Sequence, residues 1–327
     1  METKENDEKI NSEKSRDTSN SNAHLIIFDE ENEIIINNTK RNIIFIILSI
    51  IATLSSLDGG IIPQQNENIK KDFGGDNEEK VGLFGSIDYI GRVIGSIIYI
   101  IIMGRMNRKI ILVVSLIFKS ITLIIPFIIN TNYEINLIAR ALSGLSQVFY
   151  PIYLPVWCDQ YAKKKLKAIW VTNVQIGNPI WVIFGYGLGM LTENIFTKSG
   201  WIYSFFIEGV SLTICAIIVL FFDKIYFSQN FVLTDDSKGK EIPMDKTIKL
   251  FKNLGKIICN KIFLFSSLCS SVCFFGIGIV QFYWDNYMHI VLKIESNIRF
   301  IYFALLCLFG PTSGMVCGGI ICSKLGG

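Results

Sequence analysis

The sequence predicts an all-α, multi-span membrane protein: a six-helix bundle followed by part of a second one. Three observations carry this. Half of the 327 residues are hydrophobic and 18% are charged, against ~25% charged in soluble domains. The apolar residues fall in blocks of about twenty, the length a helix needs to cross ~30 Å of hydrocarbon. The basic residues between blocks alternate in density from loop to loop, as they do where positive residues stay on the cytoplasmic side. Barrel strands alternate apolar and polar over only ~10 residues, and these blocks do not alternate.

Residues 1–42 open with METKENDEKINSEKSRDTSNSN, too polar to bury a core, and are expected as a disordered cytoplasmic tail. No apolar h-region begins near the N-terminus, so this is not a secretory signal, and the first span directs insertion. Spans are expected at Ile43–Ile62, Val81–Met103, Ile110–Ile129, Ile135–Trp157, Ala168–Leu191 and Trp201–Phe222, making 43–222 the N-terminal bundle. Residues 223–261 read as a polar linker with a short amphipathic helix around Met244–Leu254. Residues 262–327 hold two more spans, Ile262–Tyr287 and Ile298–Cys322.

The loops set the orientation. One side carries Lys40, Arg41, Arg105, Arg108, Lys109, Lys163, Lys164, Lys165, Lys167 and the lysine-rich linker. The other carries Lys70, Lys71 and Lys80, diluted by Asp72, Asp76, Glu78 and Glu79, then Lys198, Lys293 and Arg299. The N-terminus, the loop after every even span and the linker are therefore expected in the cytoplasm. Plasma membrane and organelle membrane are not distinguished. The order of bundle, basic linker and second block is a 6+6 plan of which two spans of the second half are present. The ending SKLGG reads as a truncation.

The second span and its loop run GLFGSIDYIGRVIGSIIYIIIMGRMNRK. Gly82, Gly85, Gly91 and Gly95 make a small-residue face for close helix approach. The loop Gly104-Arg105-Met106-Asn107-Arg108-Lys109 follows. It resembles the cytoplasmic motif of the major facilitator superfamily, G-x-L-x-D-R-x-x-R-K: Arg105, Arg108 and Lys109 match. Gly104 stands where the family has an Asp that helps latch the bundles, and Ile100 stands at its first Gly.

The first span ends Leu57-Asp58-Gly59-Gly60-Ile61-Ile62-Pro63, the fourth begins Ile138-Ala139-Arg140-Ala141-Leu142-Ser143-Gly144, and the seventh ends Gly278-Ile279-Val280-Gln281-Phe282-Tyr283-Trp284. Together these are similar to the spinster-like branch of that superfamily, whose members move lysolipids and sphingoid lipids. Asp58, Arg140 and Gly144 match its Asp in the first span and R-x-L-x-G-x-G-E in the fourth. Gly59 replaces an Arg, and Gln147 replaces a carboxylate that in the family carries protons or holds the gate. The resemblance runs from about residue 43 to the end and implies a major facilitator fold. The eighth span, Gly310-Pro311-Thr312-Ser313-Gly314 then Gly318-Gly319 and Lys324, echoes the second, as parallel halves do.

A charge inside the bilayer is costly and marks a functional candidate. Asp88 and Arg92 share one helical face and can neutralise each other, as a structural pair or in a cavity wall. Arg140 has no carboxylate near it on its own helix, and Asp58, at the same membrane side, is its natural partner. That pair suits an anionic headgroup or a gate. Lys119 is expected to snorkel, Glu208 to pack or snorkel, and Asp285 and His289 to lie at the interface, with gating as the alternative. Trp157, Trp181, Trp201 and Trp284 fall towards span ends as interfacial anchors. Pro151, Pro155, Pro179 and Pro311 kink or loosen their helices.

The expected activity is secondary active transport by alternating access. The site is expected to comprise Asp58, Asp88, Arg92, Arg140, Gln147, Gln175, Asn178 and Gln281, with the loop motif Gly104, Arg105, Arg108 and Lys109. The solute would be small, organic and amphipathic or anionic, such as a lysolipid. Carriage of polar metabolites such as sugars or amino acids, and a non-transporting membrane scaffold, are the alternatives. The partners are the lipid bilayer and the solute, with proton or ion coupling left open. The net charge of +3 does not indicate nucleic acid. No CxxC pair occurs and only two His are present, so no metal or other cofactor is expected. No HExxH or Ser/His/Asp set supports an enzyme.

Overall fold

The computed structural model describes residues 24–29, 32–73, 78–103, 106–129, 132–163, 166–196, 199–227 and 255–325. Two compact units divide the chain, Met1–Ile47 and Leu48–Gly327. In the first, β1 (His24–Asp29) pairs antiparallel with β2 (Asn32–Asn37), Leu25 opposite Ile36 and Ile27 opposite Ile34. Both strands fall within residues 1–42. The runs HLIIFD and NEIIIN, rich in β-branched residues and parted by two residues, are a hairpin pattern. The first helix, α1 (Asn38–Leu54), starts at Asn38 rather than Ile43.

Among the described residues the second unit is helical. A turn at Ser55-Ser56-Leu57 leads to α2 (Asp58–Gln64), α3 (Asn66–Asp72) and α4 (Glu78–Met103). Next come α5 (Arg108–Ile129), α6 (Tyr133–Gln147), α7 (Phe149–Tyr161), α8 (Lys167–Ile195) and α9 (Gly200–Leu220). After a 3-10 turn at Lys224–Tyr226 and residues that include the expected Met244–Leu254 helix and lie outside those described, α10 (Lys261–Asn286) begins. A π turn at Tyr287–Val291, α11 (Ser296–Cys307), a second π turn at Leu308–Thr312 and α12 (Ser313–Leu325) complete the order.

Seven stretches among the described residues are long and apolar enough to cross a membrane: Asn38–Gln64, Glu78–Met103, Arg108–Ile129, Ile169–Ile195, Gly200–Leu220, Lys261–Val291 and Ser296–Gly318. These coincide with seven of the eight expected spans. The remaining one, Ile135–Trp157, forms as two shorter helices, α6 and α7, meeting at Val148. Pro151 has no N–H for the carbonyl of Gln147, and α6 ends at Gln147. Pro311 likewise falls inside the second π turn. Side-chain caps start three helices: Asn107 Oδ1 accepts from Lys109 N at 2.9 Å before α5, Asn132 Oδ1 from Ile135 N at 3.3 Å before α6, and Asn260 Oδ1 from Ile262 N at 3.0 Å before α10.

α4 packs on α6, α5 on α6 and α9, and α2 on α8, while α10 lies on α2 and α11 and α12 lie on α8. Two of these contacts are backbone to backbone. A Cβ on Gly91 of α4 would sit 1.9 Å from the carbonyl oxygen of Ala141, and one on Gly144 of α6 would sit 2.1 Å from that of Asp88. Gly60 and Gly185 bring α2 and α8 together in the same way: a Cβ on Gly60 would sit 2.0 Å from the Val182 carbonyl oxygen, and one on Gly185 would sit 2.0 Å from that of Leu57. Two of the expected anchors, Trp157 and Trp201, are fully buried instead. Their indole N–H groups find partners inside the protein: Trp157 donates to the Tyr226 carbonyl and Trp201 to Asp72 Oδ2, both at 2.8 Å. α10 exposes Ile262, Phe265, Val272, Phe274 and Phe275 around its circumference, a surface suited to apolar surroundings rather than water.

Candidate functional site

The site grows from the break in the first span. At the Ser55-Ser56-Leu57 turn, Gly59 N bonds the Ser56 carbonyl at 3.2 Å. The Ser55 carbonyl thereby loses its α-helical donor. Lys119 Nζ from α5 donates to it at 2.5 Å and to Gln147 Oε1 of α6 at 2.9 Å. The same ammonium lies 3.4 Å from Asp58 Oδ2 and 3.7 Å from Glu208 Oε1 of α9. Arg140 Nη1 of α6 binds Asp58 Oδ2 at 2.5 Å. Four ionisable side chains from four helices thus meet at one place.

Burial decides what this means. Asp58 is 1% exposed, Arg140 6%, and Lys119 and Glu208 0%. Each isolated ion would cost several kcal/mol to desolvate, and only close pairing offsets that. Interdependence of these side chains is therefore built in. Some bonding capacity stays unused: Asp58 Oδ1, both Glu208 carboxylate oxygens, Ser143 Oγ and Arg140 Nε make no hydrogen bond. The space beside Arg140 is lined by Phe84, Leu123, Pro126, Phe205 and Ser143, so a charged end and an apolar wall adjoin.

Arg140, Gly144 and Gln147 share one face of α6, at i, i+4 and i+7. Gly144 brings Asp88 of α4 against that face. Asp88 Oδ2 accepts from Arg92 Nε at 2.7 Å and Nη2 at 2.6 Å. Asp88 is buried, whereas a third of the Arg92 side chain is exposed, and its guanidinium lies 5.0 Å from the Tyr89 ring.

Gln281 reaches the network's neighbourhood from α10. Pro63 has no N–H for the Gly59 carbonyl, and Gln281 Nε2 donates to that oxygen at 2.7 Å. The structure thus brings Asp58, Asp88, Arg92, Arg140 and Gln147 together, with Gln281 alongside. It does not bring Gln175 in: that residue is exposed on α8, two helical turns before the Val182 that meets Gly59 and Gly60. The side chain of Asn178 lies outside what is described, as do Gly104 and Arg105 of the loop motif. Arg108 Nη1 donates to Gln160 Oε1 at 2.8 Å, and Lys109 Nζ to the Leu220 and Phe222 carbonyls at 2.9 and 2.5 Å. These two cations tie the start of α5 to α7 and to the end of α9.

Lys119, expected to snorkel, is a correction, and Glu208, expected to pack or snorkel, is buried beside it. The signal for Lys119 is in the sequence: Ser115, Lys119 and Thr122 repeat at helical spacing, a polar stripe on an otherwise apolar span. Ser120 Oγ donates to the Gly209 carbonyl at 2.7 Å, which draws α5 and α9 together beside Glu208. Asp285 is also corrected from the interface to the interior. It is 3% exposed and accepts from Tyr186 Oη and, at 3.0 Å, from Arg299 Nη1. His289 is exposed. Among the described residues no group of His, Cys, Asp and Glu is arranged to hold a metal ion.

The sequence pattern of the Major Facilitator Superfamily matches residues 44–327. A bacterial homolog to the human lysosomal transporter Spinster, solved inward-facing and unoccupied, has a similar fold: TM-score 0.61 at 20% identity, over 83% of this chain and 60% of that one. A D-xylose-proton symporter gives 0.62 at 14% identity, over 86% and 68%. The xylose transporter XylE from E. coli, partially occluded and inward-open, gives 0.52 at 15% identity, over 82% and 71%. The chain therefore spans about 60% of the length of the Spinster homolog. A search of curated proteins finds no match.

Proposed function

Because the chain belongs to the major facilitator superfamily, we propose that it is a secondary carrier moving a small organic solute across a membrane by alternating access. The observation that carries this reading is the buried junction of Asp58, Lys119, Arg140 and Glu208, four ionisable side chains from four helices inside an apolar bundle. Evolution retains charges at membrane depth mainly where solutes, ions or protons pass. Pairs that break and reform as helices shift are what an alternating site requires.

The proposed solute is amphipathic or anionic, with a lysolipid as the type. Arg140 keeps an unbonded Nε for a phosphate or carboxylate, and Phe84, Leu123, Pro126 and Phe205 stand beside it as apolar neighbours. The proposed orientation puts the N-terminus and the basic linker in the cytoplasm, on the distribution of lysine and arginine among the loops. Uptake of labelled lysolipid, sugar and amino acid into proteoliposomes tests the reading. Saturable uptake of the lysolipid supports it. Lysolipid entry no faster than into protein-free liposomes contradicts it.

A further inference from the structure

Tyr186 on α8 has no part in the ion junction, yet it is 1% exposed. Its ring stacks on Phe303 with centroids 4.8 Å apart and on Phe300 at 5.9 Å. Its hydroxyl donates to Asp285 Oδ1, and Arg299 Nη1 holds the other oxygen of that carboxylate at 3.0 Å. Tyr186 precedes the linker; Asp285, Arg299, Phe300 and Phe303 come after it. The tyrosine is thus a knob from the first helical block seated in a socket made by the second.

We infer that Tyr186 is a clasp closing the non-cytoplasmic end of the carrier, with Arg299 positioning the carboxylate it grips; this rests on the carrier reading above. Placement supports it: Tyr186 lies in the last third of α8, Asp285 at the end of α10 and Arg299 at the start of α11. By the charge rule those ends lie away from the basic loops. The chemistry suits a joint that opens and closes. Asp285 is neutralised by Arg299 on its own side of the joint, so only a neutral hydroxyl crosses. When the socket leaves, water replaces the hydroxyl and no lone ion is stranded. Another crossing bond, Gln281 Nε2 to the Gly59 carbonyl at 2.7 Å, is neutral as well. A salt bridge across the joint would strand two charges at each opening.

The test is a pair of distance measurements by pulsed electron spin resonance on the full chain in lipid nanodiscs. Spin-labelled noncanonical residues are placed at Ile195 and Asn297 for the non-cytoplasmic end, and at Met106 and Ile258 for the cytoplasmic end. The Tyr186→Phe variant, which loses one hydroxyl, is expected to raise the ratio of long to short distances at the first pair about five-fold, the factor one ordinary hydrogen bond sets. The second pair should shorten in step. Arg299→Gln should act in the same direction, and Arg299→Lys should restore part of the closed population, which a purely structural role for Arg299 does not predict. If the wild type populates two distances at each pair but neither Tyr186→Phe nor Tyr186→Ala shifts them, the clasp is wrong and the carrier stands. A single unmoving distance at both pairs in every variant overturns the carrier and the clasp together.

Discussion

Arg140 of α6 and Asp58 of α2 meet at 2.5 Å, although 82 positions separate them in the chain. The oxygen they share also lies 3.4 Å from Lys119 Nζ. One carboxylate oxygen therefore ties the first, third and fourth spans at a point just after the first span breaks. The break itself supplies a further acceptor, the Ser55 carbonyl. The loss of regular helix thus frees the carbonyl that anchors the Lys119 ammonium, as irregular backbone in membrane helices finds partners in neighbouring helices.

Lys119 and Glu208 should be energetically coupled. Lys119→Met removes the cation that faces both carboxylates and is expected to destabilise the protein by about 3–5 kcal/mol. In the Glu208→Gln background the same change should do less harm, because one of the stranded carboxylates is already neutral. Unfolding of the four proteins in detergent closes the cycle. Effects that simply add would show that the 3.7 Å approach carries no interaction.

Glycine substitutions separate close contact from mere composition. Gly91→Ala places a methyl 1.9 Å from the Ala141 carbonyl oxygen, whereas nothing lies within 4 Å of a Cβ on Gly82. Gly91→Ala should lose about 1–3 kcal/mol. Gly82→Ala should be neutral or slightly stabilising, since alanine is the better helix former. Equal thermal midpoints for the two variants would show that α4 and α6 do not approach this closely.

The contrast marks how far the sequence could be read. Span positions and the nearness of Asp58 to Arg140 are legible because hydropathy and the cost of a lone membrane charge are properties of the chain itself. Gly82 and Gly91 look alike in sequence, and only the helix crossing tells them apart. Lys119 has a stem long enough to reach an interface, so its inward direction depends on which face of α5 meets α9. Gln175 stays out for another reason: it lies two turns along α8 from the contact with α2, and the level at which two helices meet is not written in either one. The hairpin at His24–Asn37 is short enough for its apolar runs to be lost in a polar tail. Tyr186 carries no charge, and its importance lies wholly in the helices beyond the linker.

Pro63 and Gln281 form a second coupled pair. Gln281→Leu should cost about 1 kcal/mol in the natural chain, by leaving the Gly59 carbonyl without a donor. In a Pro63→Ala background the new backbone N–H at position 63 can serve that carbonyl, and the cost should fall towards zero. A loss of the same size in both backgrounds would mean that the 2.7 Å bond does not substitute for the missing helical one.

Orientation is open to a direct check. An epitope tag after Asn130 and another within Ser237–Glu241 should report from opposite faces of the membrane, the second in the cytoplasm. Both tags accessible from one face would remove the basis for placing the linker inside.

The central claim, that the Asp58–Arg140 junction operates a carrier, is tested most directly by one comparison. Lysolipid uptake is measured in proteoliposomes holding equal amounts of folded wild-type protein and of Arg140→Ala. The account predicts saturable uptake by the wild type and none above protein-free liposomes for the variant, with membrane insertion unchanged. Wild-type uptake retained in full by Arg140→Ala would contradict it.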